Sequence, residues 1–181
     1  MVGLGAIFWT FVFLFGLIGL MRGWAKELVV TFSAILALFI IALIERFVPF
    51  VTTTLESGGS LVPMFWMRTV LLIIMVFFGY QTPSITRLAG SGKFVRERLQ
   101  DSLLGLFLGA INGYLIIGSI WFYMDQAGYP FSSIIRAPDL NDPLGIAAAD
   151  LVKILPPNFM APPTIYFAVA VAFVFVLVVF I

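Results

Sequence analysis

Long apolar stretches alternate with short polar segments along the whole chain. Five of them stand out, at residues 1–21, 28–44, 64–80, 103–124 and 164–181. Each approaches the roughly 20 residues that a helix needs to cross about 30 Å of hydrocarbon. All ten prolines fall outside these stretches, which favours helices because an interior proline breaks the hydrogen-bond ladder. The pattern predicts an all-α, polytopic transmembrane helical bundle of about five spans.

The segment between the fourth and fifth stretches, residues 125–163, is rich in proline and predicts an irregular external loop. Within it, Asp142 is suited to cap a helix with Pro143 at its first position, and Pro156 would end that helix. Apolar residues recur at helical spacing in between. We therefore expect a short amphipathic helix before the last span, either lying at the membrane surface or packed on the bundle.

Composition supports a membrane protein and argues against a soluble enzyme. Hydrophobic residues make up 62% of the chain and charged residues only 10%, against about 25% charged in an ordinary globular domain. A water-soluble fold could not cover so much apolar surface. The 181 residues show no repeated unit, so the expected organisation is a single membrane domain over residues 1–181.

The chain contains neither histidine nor cysteine, which removes thiolate nucleophiles, imidazole bases and the usual ligands of zinc, haem and iron–sulfur clusters. We accordingly predict no catalytic residue, no metal site and no cofactor, while a bound lipid or pigment stays open. A net charge of +1 provides no global field for nucleic acid. The expected partners are membrane lipids and other membrane proteins, and self-association is left open.

Lysines and arginines near the spans predict the orientation. The loops after the first and third spans carry six of them and the opposite side carries four, which favours an external N-terminus and a cytoplasmic C-terminus. Four cations of the cytoplasmic segment are candidates for contacts with anionic lipid: Arg87, Lys93, Arg96 and Arg98. Their alternative role is to determine topology without binding any specific ligand.

The fourth span carries the most distinctive pattern. Asp101, Gly105, Gly109 and Gly113 recur every four residues and so share one helix face, with the acid at the membrane surface. Such a face lets a second backbone approach closely, and predicts helix packing or contact with a partner. Asn112 lies next to this face at membrane depth, where an unpaired amide is costly. It therefore needs a hydrogen-bond partner on another helix.

The first hairpin carries a second motif. Its polar and glycine positions are Gly19, Arg22, Gly23, Lys26 and Glu27. Gly19 and Gly23 fall on one face of the helix end, and Arg22 and Lys26 lie four residues apart. This spacing predicts a tight, positively charged turn at the cytoplasmic side.

The two motifs together resemble the colicin V production (CvpA) family of small bacterial inner-membrane proteins. The resemblance covers roughly residues 1–160. The chain has Ser102 and Asn112 where members of that family commonly carry basic residues, and it adds the stretch at 164–181. The resemblance implies a multi-pass protein of the bacterial inner membrane that is linked to bacteriocin secretion and envelope homeostasis, without an established catalytic site.

Three functional hypotheses follow. The first is a non-enzymatic, CvpA-like protein acting through helix packing and partner contacts in export or envelope homeostasis. The second is a structural accessory subunit of a larger respiratory, photosynthetic or secretion complex, which is favoured by the twenty phenylalanines and the additional span. The third is an oligomeric channel or transporter, whose path would have to use the few polar residues within the spans, above all Asn112.

Overall fold

The computed structural model describes residues 3–56, 58–81 and 95–180, and this part of the chain consists of helices joined by turns and irregular segments, without any strand. The helices are α1 (Leu4–Arg22), α2 (Trp24–Phe47), α3 (Pro49–Glu56), α4 (Val62–Tyr80), α5 (Val95–Gln126), α6 (Pro143–Lys153), α7 (Pro156–Phe159) and α8 (Thr164–Phe180). The prediction of an all-α bundle with membrane-spanning helices is confirmed. Helices α1, α2, α4 and α5 are each long and apolar enough to cross a membrane.

The fifth predicted span has a more complicated form than the sequence indicated. Helix α8 has 17 residues, and it satisfies the length and apolarity of a span only together with the preceding segment Pro143–Phe159. The two parts are bent by 64° at the break between them. The described residues therefore contain four spans, or five when this bent pair counts as one.

Most helices extend past the apolar stretches that predicted them. The stretch at 28–44 lies inside α2, and the stretch at 103–124 lies inside α5. Hydropathy ends a predicted span at a charged residue, whereas α2 includes Glu27 and Glu45, whose side chains pair with Arg22 and Arg68. The short helices α3 and α7 were not predicted at all.

Helix α6 begins at Pro143 with Asp142 as its N-cap residue, as predicted from the sequence. It buries Gly145, Ala148 and Val152 and contacts α1 and α5. The helix thus packs on the bundle through these residues, while Leu144 and Ile146 remain exposed. The Asp142 side chain itself makes no capping hydrogen bond.

Helix α2 lies at the centre of the bundle. It contacts α4, α5 and α8, and one side of it is almost fully covered, at Val30, Ala34, Ala37, Leu38 and Ile41. The outer faces of the other helices expose large apolar side chains, including Phe13, Phe78, Phe107, Phe167 and Val178. Lipid can solvate these faces, whereas in water they would form an aggregating surface.

The glycine face of α5 packs against α1 within the same chain, in the most extensive helix contact of the bundle. We call this contact the glycine seam and define it by Gly19, Gly105, Gly109 and Gly113. A Cβ atom on Gly109 would collide with the carbonyl oxygen of Phe15 and lie 2.9 Å from the Cα of Gly19. A Cβ on Gly113 would lie 3.0 Å from the Cα of Val12. The two backbones approach so closely that no side chain fits between them.

Replacing Gly109 with leucine should therefore destabilise the folded bundle by about 1–3 kcal/mol or more, since overpacking must push α1 away from α5. The loop variant Gly58→Leu is the matched control, because no atom lies within 4 Å of a Cβ at that position. Unfolding of both purified proteins in detergent micelles measures the difference. Equal stability of the two variants would show that the glycine seam is not needed for packing.

Candidate functional site

A group of polar residues lies where α1, α2, α4 and α5 meet, at the end of the bundle that contains the α1–α2 hairpin. Its members are Arg22, Glu27, Thr31, Tyr80 and Asn112, and we refer to them as the hairpin cluster. Glu27 and Asn112 are both fully inaccessible. Two fully covered polar side chains in an apolar bundle require hydrogen-bond partners inside the protein.

Arg22 pairs with Glu27 across the turn between α1 and α2. Its Nη1 lies 3.0 Å from Glu27 Oε1, and the side-chain exposures are 20% for Arg22 and 0% for Glu27. Its Nη2 donates to the carbonyl oxygen of Tyr80 at 3.2 Å, one of the carbonyls that the end of α4 leaves without a helical partner. The guanidinium carbon also lies 4.3 Å from the Tyr80 ring centroid, a cation–π arrangement. Arg22 thus points into the bundle end, whereas the sequence pattern predicted that it would face the cytoplasm.

Asn112 holds the other side of the Glu27 carboxylate. Its Nδ2 donates to Glu27 Oε2 at 2.8 Å and to the Glu27 carbonyl oxygen at 3.0 Å. Its Oδ1 accepts from the Thr31 hydroxyl at 2.7 Å. Both ends of the amide are therefore used, and both carboxylate oxygens of Glu27 are paired. The partner that sequence reasoning required for Asn112 is provided by α2.

Asp101 of α5 and the turn residue Gly23 form another contact between α5 and the start of α2. The turn residue Gly23 has φ 84°, a conformation that residues with a side chain rarely adopt. It has no side chain to cap α2, and the Asp101 carboxylate of α5 accepts from the Trp24 N–H at 3.2 Å instead. A carboxylate at this position satisfies one of the free N–H groups of the helix start and also favours the helix dipole.

The two sequence motifs are consequently the two halves of one contact. Gly19 packs on Gly105 and Gly109, the Gly23–Trp24 turn receives Asp101, and Glu27 receives Asn112. Gly19 lies on α1, whereas Trp24 and Glu27 lie on α2, so the α5 motif contacts both arms of the hairpin. Sequence reasoning identified both motifs but did not pair them with each other.

Chemically, this arrangement is suited to holding helices together. Within the part of the chain that the structure describes, the hydrogen bonds and the ion pair of the hairpin cluster join groups within the cluster, and the Glu27 carboxylate is covered completely. A substrate would first have to displace these partners. Among the described residues, no three histidine, cysteine, aspartate or glutamate side chains converge as a metal site would require.

Other candidate residues lie away from this contact. Lys26 is half-buried beside the hairpin, and Arg98 is exposed near the start of α5. Arg87 and Lys93 lie outside the described residues, as does the side chain of Arg96. The proposed contacts of these cations with anionic lipid therefore remain predictions from the sequence.

A second polar group at the opposite end of the bundle was not singled out from the sequence. Arg68 Nε lies 2.6 Å from Glu45 Oε1, and its Nη1 donates to Gln126 Oε1 at 2.5 Å. The guanidinium carbon also lies 5.2 Å from the ring centroid of Tyr123. These residues come from α2, α4 and α5, so both ends of the bundle have a cross-linked polar group. The signal was present in the sequence, because Arg68 is the only charged residue inside the apolar stretch 64–80.

Comparison with known proteins adds nothing to this picture, since no family model, curated protein or solved structure matches the chain. The functional interpretation therefore depends on the residues and contacts described above.

Replacing Arg22 with methionine should destabilise the fold by about 3 kcal/mol, because Glu27 would stay buried without its cation. Adding Glu27→Gln to that variant should recover much of the loss, since the second change removes the unpaired charge. The free energy of unfolding in detergent micelles is measured for the wild type, Arg22→Met and the double variant. Lys26→Met is the control, because it removes a neighbouring cation. A double variant that is no more stable than Arg22→Met alone would contradict the assigned role of the ion pair.

Proposed function

We propose that the chain is a non-enzymatic, CvpA-like integral membrane protein that acts through helix packing and partner contacts in export or envelope homeostasis. The observation that carries this proposal is the pairing of the two motifs on which the resemblance depends. The Gly19 to Glu27 motif and the Asp101 to Gly113 motif are in direct contact, from the Trp24–Asp101 hydrogen bond to the Glu27–Asn112 hydrogen bond. The residues on which the resemblance depends thus hold α5 to the α1–α2 hairpin.

The absence of enzymatic activity is part of the proposal and is supported by how the buried polar groups are used. Acid–base or nucleophilic catalysis needs a reactive group that is within reach of a substrate. Glu27 is a fully buried carboxylate, and its two oxygens are paired with Arg22 and Asn112. The same pairing disfavours the channel hypothesis, since Asn112 holds α5 to α2 with both ends of its amide.

For location we propose the bacterial inner membrane, with the N-terminus outside and the hairpin cluster at the cytoplasmic side. The resemblance supports the membrane, and the excess of lysine and arginine in the loops after the first and third spans supports the orientation. The four to five apolar helices are compatible with a multi-pass protein.

Partner contacts would have to use the outer faces of the bundle, because the glycine face of α5 is occupied by α1. Exposed phenylalanines are available on α4 and α8, including Phe77, Phe78, Phe167 and Phe175. Aromatic side chains of this size are enriched in the buried centres of protein interfaces.

A second candidate, an accessory subunit of a larger membrane complex, is favoured by one specific feature. Helix α8, which lies beyond the part of the chain that resembles the CvpA family, packs mainly on α2 and leaves most of its surface exposed. A helix with so little cover inside its own chain is well placed to contact a neighbouring subunit.

Co-purification in mild detergent, with quantitative mass spectrometry of the captured proteins, separates the two candidates. A CvpA-like protein should capture export or envelope proteins in less than stoichiometric amounts, because its contacts are transient. In the native host, loss of the gene should also reduce bacteriocin secretion or increase envelope permeability. The wild-type chain and Gly58→Leu should restore both properties, and Gly109→Leu should not, since it opens the α1–α5 contact.

A constant, stoichiometric set of respiratory, photosynthetic or secretion subunits would favour the second candidate. Full restoration by Gly109→Leu would contradict the proposed dependence on the glycine seam. Unchanged secretion and permeability in the strain without the gene would remove the export and envelope role.

A further inference from the structure

A pocket of about 310 Å³ opens beside Arg68 and Glu45, at the end of the bundle opposite to the hairpin cluster. Leu38, Ile41 and Ala42 of α2 form its apolar side. Residues of α4 and α5 form two further walls, and α7 with the residues that follow it forms the fourth. That wall is attached to the bundle, because the Tyr114 hydroxyl of α5 donates to the carbonyl oxygen of Ile154. The volume is at the lower end of the range for small-molecule sites.

The ion pair in this pocket leaves one guanidinium nitrogen of Arg68 and one carboxylate oxygen of Glu45 available. Arg68 uses Nε towards Glu45 Oε1 and Nη1 towards Gln126. Within the described ranges, Arg68 Nη2 and Glu45 Oε2 have no hydrogen-bond partner, and both residues line the pocket. Their side chains are 17% and 29% exposed respectively, so neither charged group is closed off from a ligand.

The adjacent opposite charges determine which ligand would fit. A purely anionic group near Arg68 would also meet the Glu45 carboxylate, and a purely cationic group near Glu45 would meet the Arg68 guanidinium. A zwitterion can place its anionic group at Arg68 and its cationic group at Glu45, and the site then needs no net charge. The pocket thus selects a molecule that carries an anionic and a cationic group close together.

The depth of the site points to a lipid as the source of that zwitterion. Glu45 lies near the end of α2, Gln126 ends α5, and Arg68 lies within two turns of the start of α4. These are the positions at which spanning helices leave the hydrocarbon and meet lipid headgroups. A pocket of this volume has room for a headgroup, while the acyl chains stay in the bilayer along the apolar outer faces.

We propose that this pocket binds the headgroup of a zwitterionic phospholipid, with the phosphate at Arg68 and a primary ammonium at Glu45. A primary ammonium carries N–H donors for Glu45, and a quaternary choline headgroup carries none. The site therefore distinguishes phosphatidylethanolamine from both phosphatidylcholine and the anionic phosphatidylglycerol. This inference does not depend on the proposed export or envelope function.

Native mass spectrometry of the full chain, reconstituted with equal amounts of the three lipids, tests the proposal. The wild-type chain should retain phosphatidylethanolamine at least about ten-fold more than either other lipid, as one charge-assisted hydrogen bond implies. Equal retention of the three lipids, or preferential retention of phosphatidylglycerol, would overturn the proposal. This first measurement needs no variant and so does not depend on a variant's folding.

The variant Glu45→Gln gives a sharper signature, because it removes the ammonium partner and leaves the Arg68 charge unneutralised. Its preference should change from phosphatidylethanolamine to phosphatidylglycerol. Arg46→Gln is the matched control, since Arg46 is exposed and lies outside the pocket, and it should keep the wild-type preference. A Glu45→Gln protein that folds and keeps the wild-type preference would refute the assignment.

A final arm separates a lipid from a soluble source of the same headgroup chemistry. Phosphatidylethanolamine should raise the thermal stability of the wild-type chain in detergent, and free phosphoethanolamine at the same concentration should not. Equal stabilisation by free phosphoethanolamine would overturn the lipid assignment.

Discussion

The cost of a buried, unpaired polar group in an apolar surrounding constrains the whole bundle. Glu27 is fully inaccessible in a helix that also spans the hydrocarbon, and such a carboxylate is tolerated only with a cation and hydrogen bonds around it. Its partners are Arg22 at the end of α1 and Asn112 on α5. Arg22 in turn donates to the carbonyl oxygen of Tyr80 at the end of α4. Satisfying one carboxylate therefore requires four helices to hold defined positions.

The glycine seam allows the partners of Glu27 to come within hydrogen-bond distance. Asn112 is short, and it reaches Glu27 only if α5 lies very near the α1–α2 hairpin. Side chains at Gly19, Gly105 or Gly109 would separate the helices, because each added Cβ would meet backbone atoms of the other helix. In lipid, where apolar surfaces gain little from meeting each other, small residues and cross-helix hydrogen bonds together provide the packing energy. The seam and the hairpin cluster are thus interdependent.

The two ends of the bundle solve the same problem in different ways. At the hairpin end, all charges of the cluster are used internally and the joint is closed. At the other end, the Arg68–Glu45 pair is partly exposed and borders a pocket, so an equally compact pair still offers a donor and an acceptor to a ligand. The first arrangement suits a fixed structural element, and the second suits recognition of a small zwitterion.

The apolar stretches predicted the all-helical class and about five spans, of which four are single long helices, because burial in lipid depends on local composition. Asp142 and Pro143 predicted the start of α6, because proline restricts the local backbone geometry. Neither pattern could predict that α8 and the preceding segment form a bent pair, or that Arg22 turns inward instead of facing water. The motifs at Gly19–Glu27 and Asp101–Gly113 were visible in the sequence, but their pairing was not, since it depends on which helices meet over a separation of nearly eighty positions. Arg68 and Glu45 were visible as charges at span ends, and only the tertiary structure brought them together with Gln126, because ion pairs between helices are set by packing and not by sequence spacing.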